Sequence, residues 1–591
     1  MTQHSKVALG GNPALESGSN VTFEWTCSSH HPRAMQKGVL SVDSESETGT
    51  SAELLLDRAL SLEGRIRELQ EERARCLREA NSRQVTTNVL PNEILATIFS
   101  ASCPPIDFES TEFTLGSGDQ FDEYIPSIEE PEVSRPDKEV DWSFRHFPLV
   151  ISAVCALWRQ VALSTPQLWT SLSMKITHRN IETKTDLLRF YIQHSRDLRF
   201  SLKLEMWRFS AETHGIRCTC GSRLDKMPPD TVTLGPLRAM IFEDYVDKFQ
   251  VLRLAHPPIA WAALVQKSPF VVEDFAIGWS SVDCTQPNVS IVMPASASLR
   301  RLSFDSTWWS LIPPVPSNVT VVHLHAVDVC EAIHILYTCP QLVEYSYREP
   351  VNSGRSTHPQ ILQAHEPLVL ANMEIFEWSW CDLTYHYDVT AILRLPRLLH
   401  LRWSRLPQDS LAGLASVSEP SIREFFSHLP EHIETFEFYD MIEPVKALNH
   451  PHTRLLYHMF AHLPRLRTLG FIQCDPRFID FFFTSFWDGV REPQNLTYLS
   501  DLEVITIRDM GYSDWNFNPY PKVLPTYEVG DPFIKFIRAQ GKFAKSRALC
   551  VEVEGCLISC YQPFSGELSR VQKRTKYELS YRTEGQVSSF D

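Results

Sequence analysis

The residues whose types could do chemistry are few and loosely spaced. "HGIRCTCG" brings together His214, Cys218 and Cys220, three candidate ligands for a zinc-like ion. Zinc sites ordinarily use C-x2-C pairs and a fourth ligand, so the stretch reads as a polar loop carrying thiols. His323 and His325 stand two apart and would share one face of a strand, but no acidic or cysteine partner lies on the same short stretch. No phosphate-binding G-x-x-x-x-G-K-[ST], paired-glycine dinucleotide turn, H-E-x-x-H or G-x-S-x-G occurs. Carboxylates are plentiful, but spacing singles out no pair for acid–base work. The expectation is a chain that is not an enzyme and holds neither cofactor nor metal.

Composition points the same way. At 591 residues with 43% apolar content, the chain has material for several domains and a large core. A net charge of -16 argues against binding the phosphate backbone of nucleic acid. The densest apolar run, 478–487, is half of what a bilayer crossing needs, and the N-terminus has no signal-peptide pattern. The 14 cysteines lack framework spacing and read as reduced thiols, so an intracellular site, cytoplasmic and/or nuclear, is expected. The sequon Asn318-Val319-Thr320 then carries no weight. Trp308-Trp309 and Trp378/Trp380 could line a groove, but core packing is the simpler reading.

The elements that would position any site come in a distinct order. Residues 1–50 are polar and read as a disordered tail. Over 51–83, Leu55, Leu62, Leu69 and Cys76 recur every seventh residue, with Ala59 and Ile66 between them. That pattern fits a coiled coil or an amphipathic helix lying on its own domain, and self-association through 53–79 stays open. Gly64 and Arg73 weaken the seam. "NVLPNEILATIFSASC" then opens a short helix at Pro91 with Ile94, Leu95, Ile98 and Phe99 at helical spacing. An acidic, Gly- and Pro-containing insertion fills about 104–146, and "FPLVISAVCALWRQVALSTPQLWTSL" (147–172) reads as a second apolar helix that stops at Ser164-Thr165-Pro166.

The Leu-Pro start and Val154-Cys155-Ala156-Leu157-Trp158-Arg159 together resemble an F-box. The tail "ALSTPQLWTSL" is similar to the ending common among F-box-like proteins of mushroom-forming fungi, where a short heptad helix also often precedes the Leu-Pro. The resemblance covers 53–172, with the F-box itself at 86–172 and divided by the acidic insertion. It implies a helical unit that docks on a Skp-type adaptor and through it on a cullin scaffold, with Leu90, Pro91, Ile94, Leu95, Ile98, Val154 and Trp158 as adaptor-binding residues.

From 173 to 555 a pattern L-x-x-Φ-x-Φ, with Φ a large apolar residue, recurs nine times. It starts at Val272, Leu299, Val319, Leu342, Met373, Leu398, Ile433, Leu466 and Leu502, spaced 20 to 36 residues apart. Offsets three and five would point inward from a short strand, and "SIREFFSHL" (421–429) and "TRLLYHMFAHL" (453–463) read as intervening helices. This resembles a degenerate leucine-rich-repeat array; an irregular α/β domain with frequent short strands is the plainer alternative. Cys appears at the ladder position, offset eight, only as Cys381 and Cys474. Offsets four and six would face outward, nominating His323, His325, Arg348, Glu377, Arg402, Glu437, Tyr439 and Arg508 as a target-binding face. Residues 556–591 read as a polar tail. The fold class expected is α+β or α/β. The function expected is a substrate receptor of a cullin ubiquitin ligase, or alternatively an interaction scaffold without a ligase role.

Overall fold

The structure, a computed structural model, describes residues 49–83, 90–106, 108, 146–176, 180–206, 234–258 and 261–279; between 290 and 508 it describes the strands, their flanking turns and the helical stretches between them, and beyond them 536, 549–554, 579–583 and 586–588. The tail 1–48, most of the acidic insertion, the His214/Cys218/Cys220 cluster, Trp308-Trp309 and Cys381 lie outside the described residues. The chain divides into two compact units, 1–77 and 78–591. Among the described residues no helix is long and apolar enough to cross a membrane.

In the first unit, helix α1 (Gly49–Arg83) runs on across the boundary between the units. Its heptad residues Leu62, Ile66 and Leu69 are each about half exposed. Gly64 lies opposite that seam, and a Cβ there would meet nothing within 4 Å. It therefore lowers helix propensity without interrupting the apolar stripe.

The second unit is mixed helix and strand, compatible with an α/β class, around a 15-stranded sheet. Its strands are β1 (Ser171–Ile176), β2 (Phe200–Met206), β3 (Phe249–Ala255), β4 (Asp274–Gly278), β5 (Arg301–Asp305), β6 (Val321–His325), β7 (Glu344–Arg348) and β8 (Ile375–Trp380). They continue with β9 (His400–Arg405), β10 (Thr435–Tyr439), β11 (Thr468–Ile472), β12 (Val504–Arg508), β13 (Cys550–Glu554), β14 (Leu579–Thr583) and β15 (Gln586–Ser588). Spatial order follows chain order throughout, and every neighbouring pair is parallel except β14 with β15. The sheet thus reaches past residue 556, into the stretch whose polar composition reads as a tail.

Register explains the repeat. Phe275, Leu302, Val322, Tyr345, Phe376, Leu401, Phe436, Leu469 and Ile505 stand directly opposite one another from β4 to β12. Each is the offset-three residue of its unit, and all are buried, as are the leading residues from Val272 to Leu502. The leading residue also closes a turn. The amides of Leu299, Val319, Leu342, Met373, Leu398, Leu466 and Leu502 each donate to the carbonyl three residues back, at 3.1–3.3 Å. The two amides that follow Met373 both reach the Val343 carbonyl, and those after Leu398 both reach Glu374, a clamp repeated along the sheet. At the strand exits His256, Ala326 and Gln473 take positive φ, 50–54°, and their amides donate forward to the last residue of the next strand, at 2.7–2.9 Å. Asn318 is consumed in the same scaffold, its amide nitrogen donating to the Ala297 and Leu299 carbonyls, so the sequon is a structural asparagine.

Helices cover the apolar side where loops are long enough: α5 (Ile181–Ser195), α6 (Val329–Thr338) and α7 (Glu419–Ser427), with 459–461 also helical. Buried Tyr345 and Tyr347 meet their polar needs by donating to the Ala332 and Val327 carbonyls on and beside α6. Trp378, entertained above as a groove residue, is core, lying against Tyr347 at 4.9 Å between ring centroids.

Removing the row residue Leu401, which is fully buried, is expected to cost about 2–5 kcal/mol on truncation to alanine. Its neighbour Leu399, 43% exposed, is expected to change stability by about 0.5 kcal/mol or less. Paired thermal or urea melts of Leu401→Ala and Leu399→Ala check the register directly.

Candidate functional site

Two regions collect the residues nominated above: the helices before the sheet and the sheet face opposite the core.

The helical region consists of α2 (Asn92–Ser102), α3 (Phe147–Val154) and α4 (Ala156–Ser164). Pro91 caps α2, and its carbonyl accepts from the amides of Ile94 and Leu95 at 3.0 and 3.1 Å. Residues 147–164 form two helices rather than one. The break falls at Cys155, whose backbone is extended and whose sulfur accepts the Trp158 amide as the cap of α4, at 3.4 Å. Arg159 ties the corner back, donating from Nε to the Ser152 carbonyl at 2.9 Å. The whole Val-Cys-x-x-Trp-Arg stretch is thus accounted for locally. Val154 ends α3, Cys155 turns and caps, Trp158 packs and Arg159 locks the turn.

Trp158 lies against Phe99 with ring centroids 4.9 Å apart, joining α4 to α2. Leu95 and Phe99, one helical turn apart, are both 2% exposed. This corrects the expectation that Leu95 is an adaptor-binding residue: its side of the helix points at the core. Ile94 and Ile98 are 47% and 44% exposed, Pro91 is exposed, Leu90, Val154 and Trp158 are half-buried, and Val150 on α3 is 49% exposed. Trp169 fastens this region to the sheet, donating from its indole to the Ala162 carbonyl at 2.8 Å and packing on Tyr191 of α5.

The sheet face is the more heavily charged of the two. Glu377 on β8 is 2% exposed and sits between two arginines. Arg348 on β7 donates to both its carboxylate oxygens, at 2.5 and 3.0 Å, and Arg402 on β9 reaches it at 3.1 Å. Ser346 adds a hydroxyl at 2.7 Å. Arg402 continues to Glu437 on β10, which also accepts from His400 at 2.9 Å. Arg348 then lies over the Tyr439 ring, 4.4 Å from its centroid, three strands away. On a flat sheet those strands are about 14 Å apart, so the two side chains lean together over Ser379 and Ser404, which are small and hydrogen-bonded to each other. Farther along, His323 pairs with Glu344 at 2.7 Å and His325 with Asp305 at 2.5 Å.

The histidine partners come from neighbouring strands, which is why sequence spacing misses them. The outward positions are also less available than strand alternation implies. Glu377, Ser379, Ser404, Glu437 and Thr506 are all buried, covered by one another's longer neighbours. His325 is 38% exposed and Arg508 is exposed, while Arg348 and Arg402 show only their edges. Among the described residues no group of three or more His, Cys, Asp or Glu is placed to hold a metal ion.

Electrostatics favour the charged state of this network. Burial pushes the Glu377 carboxyl up, but Arg348 and Arg402 outweigh it and the net shift is down. Glu437 is likewise raised by burial and lowered further by His400 and Arg402, to about 2. Glu344 is lowered chiefly by the hydrogen bond from His323.

No known protein-family model matches the chain, and no curated protein matches it.

Carboxylates lowered by folding stabilise above their unfolded pKa, about 4.3 for Glu, and lose that contribution as pH falls toward their folded values. Glu377→Ala leaves Arg348 and Arg402 facing each other around a buried gap, an expected loss of about 3–5 kcal/mol at neutral pH. The difference from wild type should shrink in acid, as melts across pH 7 to 3 would show. Gly470, opposite Glu437, supplies a second test, since a Cβ there would stand 2.8 Å from the Glu437 Cγ. Gly470→Ala is expected to cost about 1–3 kcal/mol, and much less in a Glu437→Ala background, read as a double-mutant cycle.

Proposed function

We propose that the chain is a non-enzymatic substrate receptor of a cullin-type ubiquitin ligase. In this reading the helices α2–α4 act as an F-box that docks on a Skp-type adaptor, and the parallel array, read as a leucine-rich-repeat-like solenoid, presents its charged face to a protein target. The observation that carries the reading is the division of α2. Leu95 and Phe99 turn into the core, Phe99 against Trp158, while Pro91, Ile94 and Ile98 leave an apolar row uncovered on the adjoining side. A short helix with two apolar faces, one of them open, suits docking on another helical protein. The Leu-Pro start and the capped Val-Cys-x-x-Trp-Arg corner add the family resemblance. Catalysis then belongs to partner proteins, and this chain contributes proximity between target and ligase. Among the described residues of the sheet face, His325, Tyr439, Arg508 and the edges of Arg348 and Arg402 reach the surface that a target would meet.

The test is co-purification of the full chain with a Skp-type adaptor. Burial of one such side chain is worth roughly 1.5–3 kcal/mol, so Ile94→Asp with Ile98→Asp should abolish the complex while leaving the melting temperature nearly unchanged. Phe99→Ala should instead lower stability. A well-folded parent chain that binds no such adaptor would contradict the proposal.

A further inference from the structure

The heptad face of α1 carries information beyond its apolar stripe. With Leu62, Leu69 and Cys76 at one core position and Ile66 and Arg73 at the other, the residues flanking the seam on one side are Arg58, Arg65, Glu72 and Glu79. Those on the other side include Glu63 and Gln70. Leu62, Ile66 and Leu69 are 51–56% exposed, so the seam is open. Among the described residues Arg65 and Glu72 make pairs along their own helix, with Glu68 at 3.0 Å and Arg75 at 3.6 Å, and all four side chains are at least 60% exposed. Such pairs hold little and exchange readily.

The order of charges, two bases and then two acids, is self-complementary under reversal. Two copies laid antiparallel, with Ile66 of one facing Leu69 of the other, bring Arg65 beside Glu72 and Arg58 beside Glu79. Symmetry doubles this to four attractive pairs. Arg73 falls opposite Leu62, where its aliphatic stem can lie on the leucine and its guanidinium reach water. The parallel alignment is poorer on each count. It pairs only Arg58 with Glu63, sets Arg65 against uncharged Gln70, and buries Arg73 against Arg73 of the other copy.

From this charge order we infer that α1 is a self-association surface whose occupant is a second copy of the same chain, bound antiparallel about an axis between Arg67 and Glu68. The two Arg83 ends then stand about 45 Å apart along the rod, so the dimer holds its copies by opposite ends of one short coiled coil. Few apolar layers hold the seam, and the dimer dissociates on dilution.

The experiment is sedimentation equilibrium on the full chain, with the sheet's thermal melt as a check on folding. A monomer–dimer equilibrium is expected, lost in Leu62→Asp with Leu69→Asp. Arg65→Glu alone and Glu72→Arg alone should each weaken the dimer by roughly tenfold, two pairs turning repulsive in each case. The double exchange should restore it. In the parallel alignment both single reversals would be nearly silent, and mild oxidation would join Cys76 to Cys76 in a disulfide that Cys76→Ser removes. Either of those results overturns the antiparallel arrangement. A monomer at every concentration, or a dimer that survives the double aspartate variant, overturns the surface itself.

Discussion

The second unit depends on one constraint: neighbouring strands stay in parallel register, so that each contributes one large apolar residue to the same buried row. No unit can bury that residue alone. Phe436 needs Leu401 on one side and Leu469 on the other, and the same holds at each interior strand. Hydrogen bonding reinforces the register, because two amides after each leading residue from Leu299 to Leu502 reach back to one carbonyl of the preceding unit. A slip of one residue would turn every apolar side chain to the opposite face and separate these amides from their carbonyl.

What register does for the core it imposes on the other face as well. Polar side chains stacked at strand spacing cannot avoid one another, and like charges side by side would repel. The row Ser346, Glu377, Arg402, Glu437 and Gly470 meets this by alternating sign and by setting a residue with no side chain beside Glu437. The outcome is a face whose charges largely satisfy each other. At its surface stand the partly exposed His325 and Tyr439 and the exposed Arg508.

The repeat was legible because its signal is purely apolar: the offsets from Val272 to Leu502 locate every buried row residue between β4 and β12. The units before them were harder to see. Leu172, Leu202 and Leu252 continue the row through β1–β3, but the residues leading those strands are Trp169, Arg199 and Phe249, so a search for leucine passes over them. The helix break at Cys155 was hidden because cysteine and its neighbours are all acceptable inside a helix; only the extended backbone and the sulfur cap reveal it. Leu95 was misplaced because spacing identifies an apolar stripe but not which edge of it meets the core. The partners of His323 and His325 stand about twenty residues away along the chain and one strand away in space, a distance no local motif spans. The family resemblance rests on the same helices, and physical packing explains its Cys, Trp and Arg without deciding what docks on the outer side of α2.

That last question is best met by hydrogen exchange on the full chain with and without a purified Skp-type adaptor. The account predicts slowed exchange concentrated in Asn92–Ser102 and Phe147–Ser164, with the strands from β4 to β12 unchanged. Exchange that is unaltered in those helices, or slowed only along the sheet face, would contradict it.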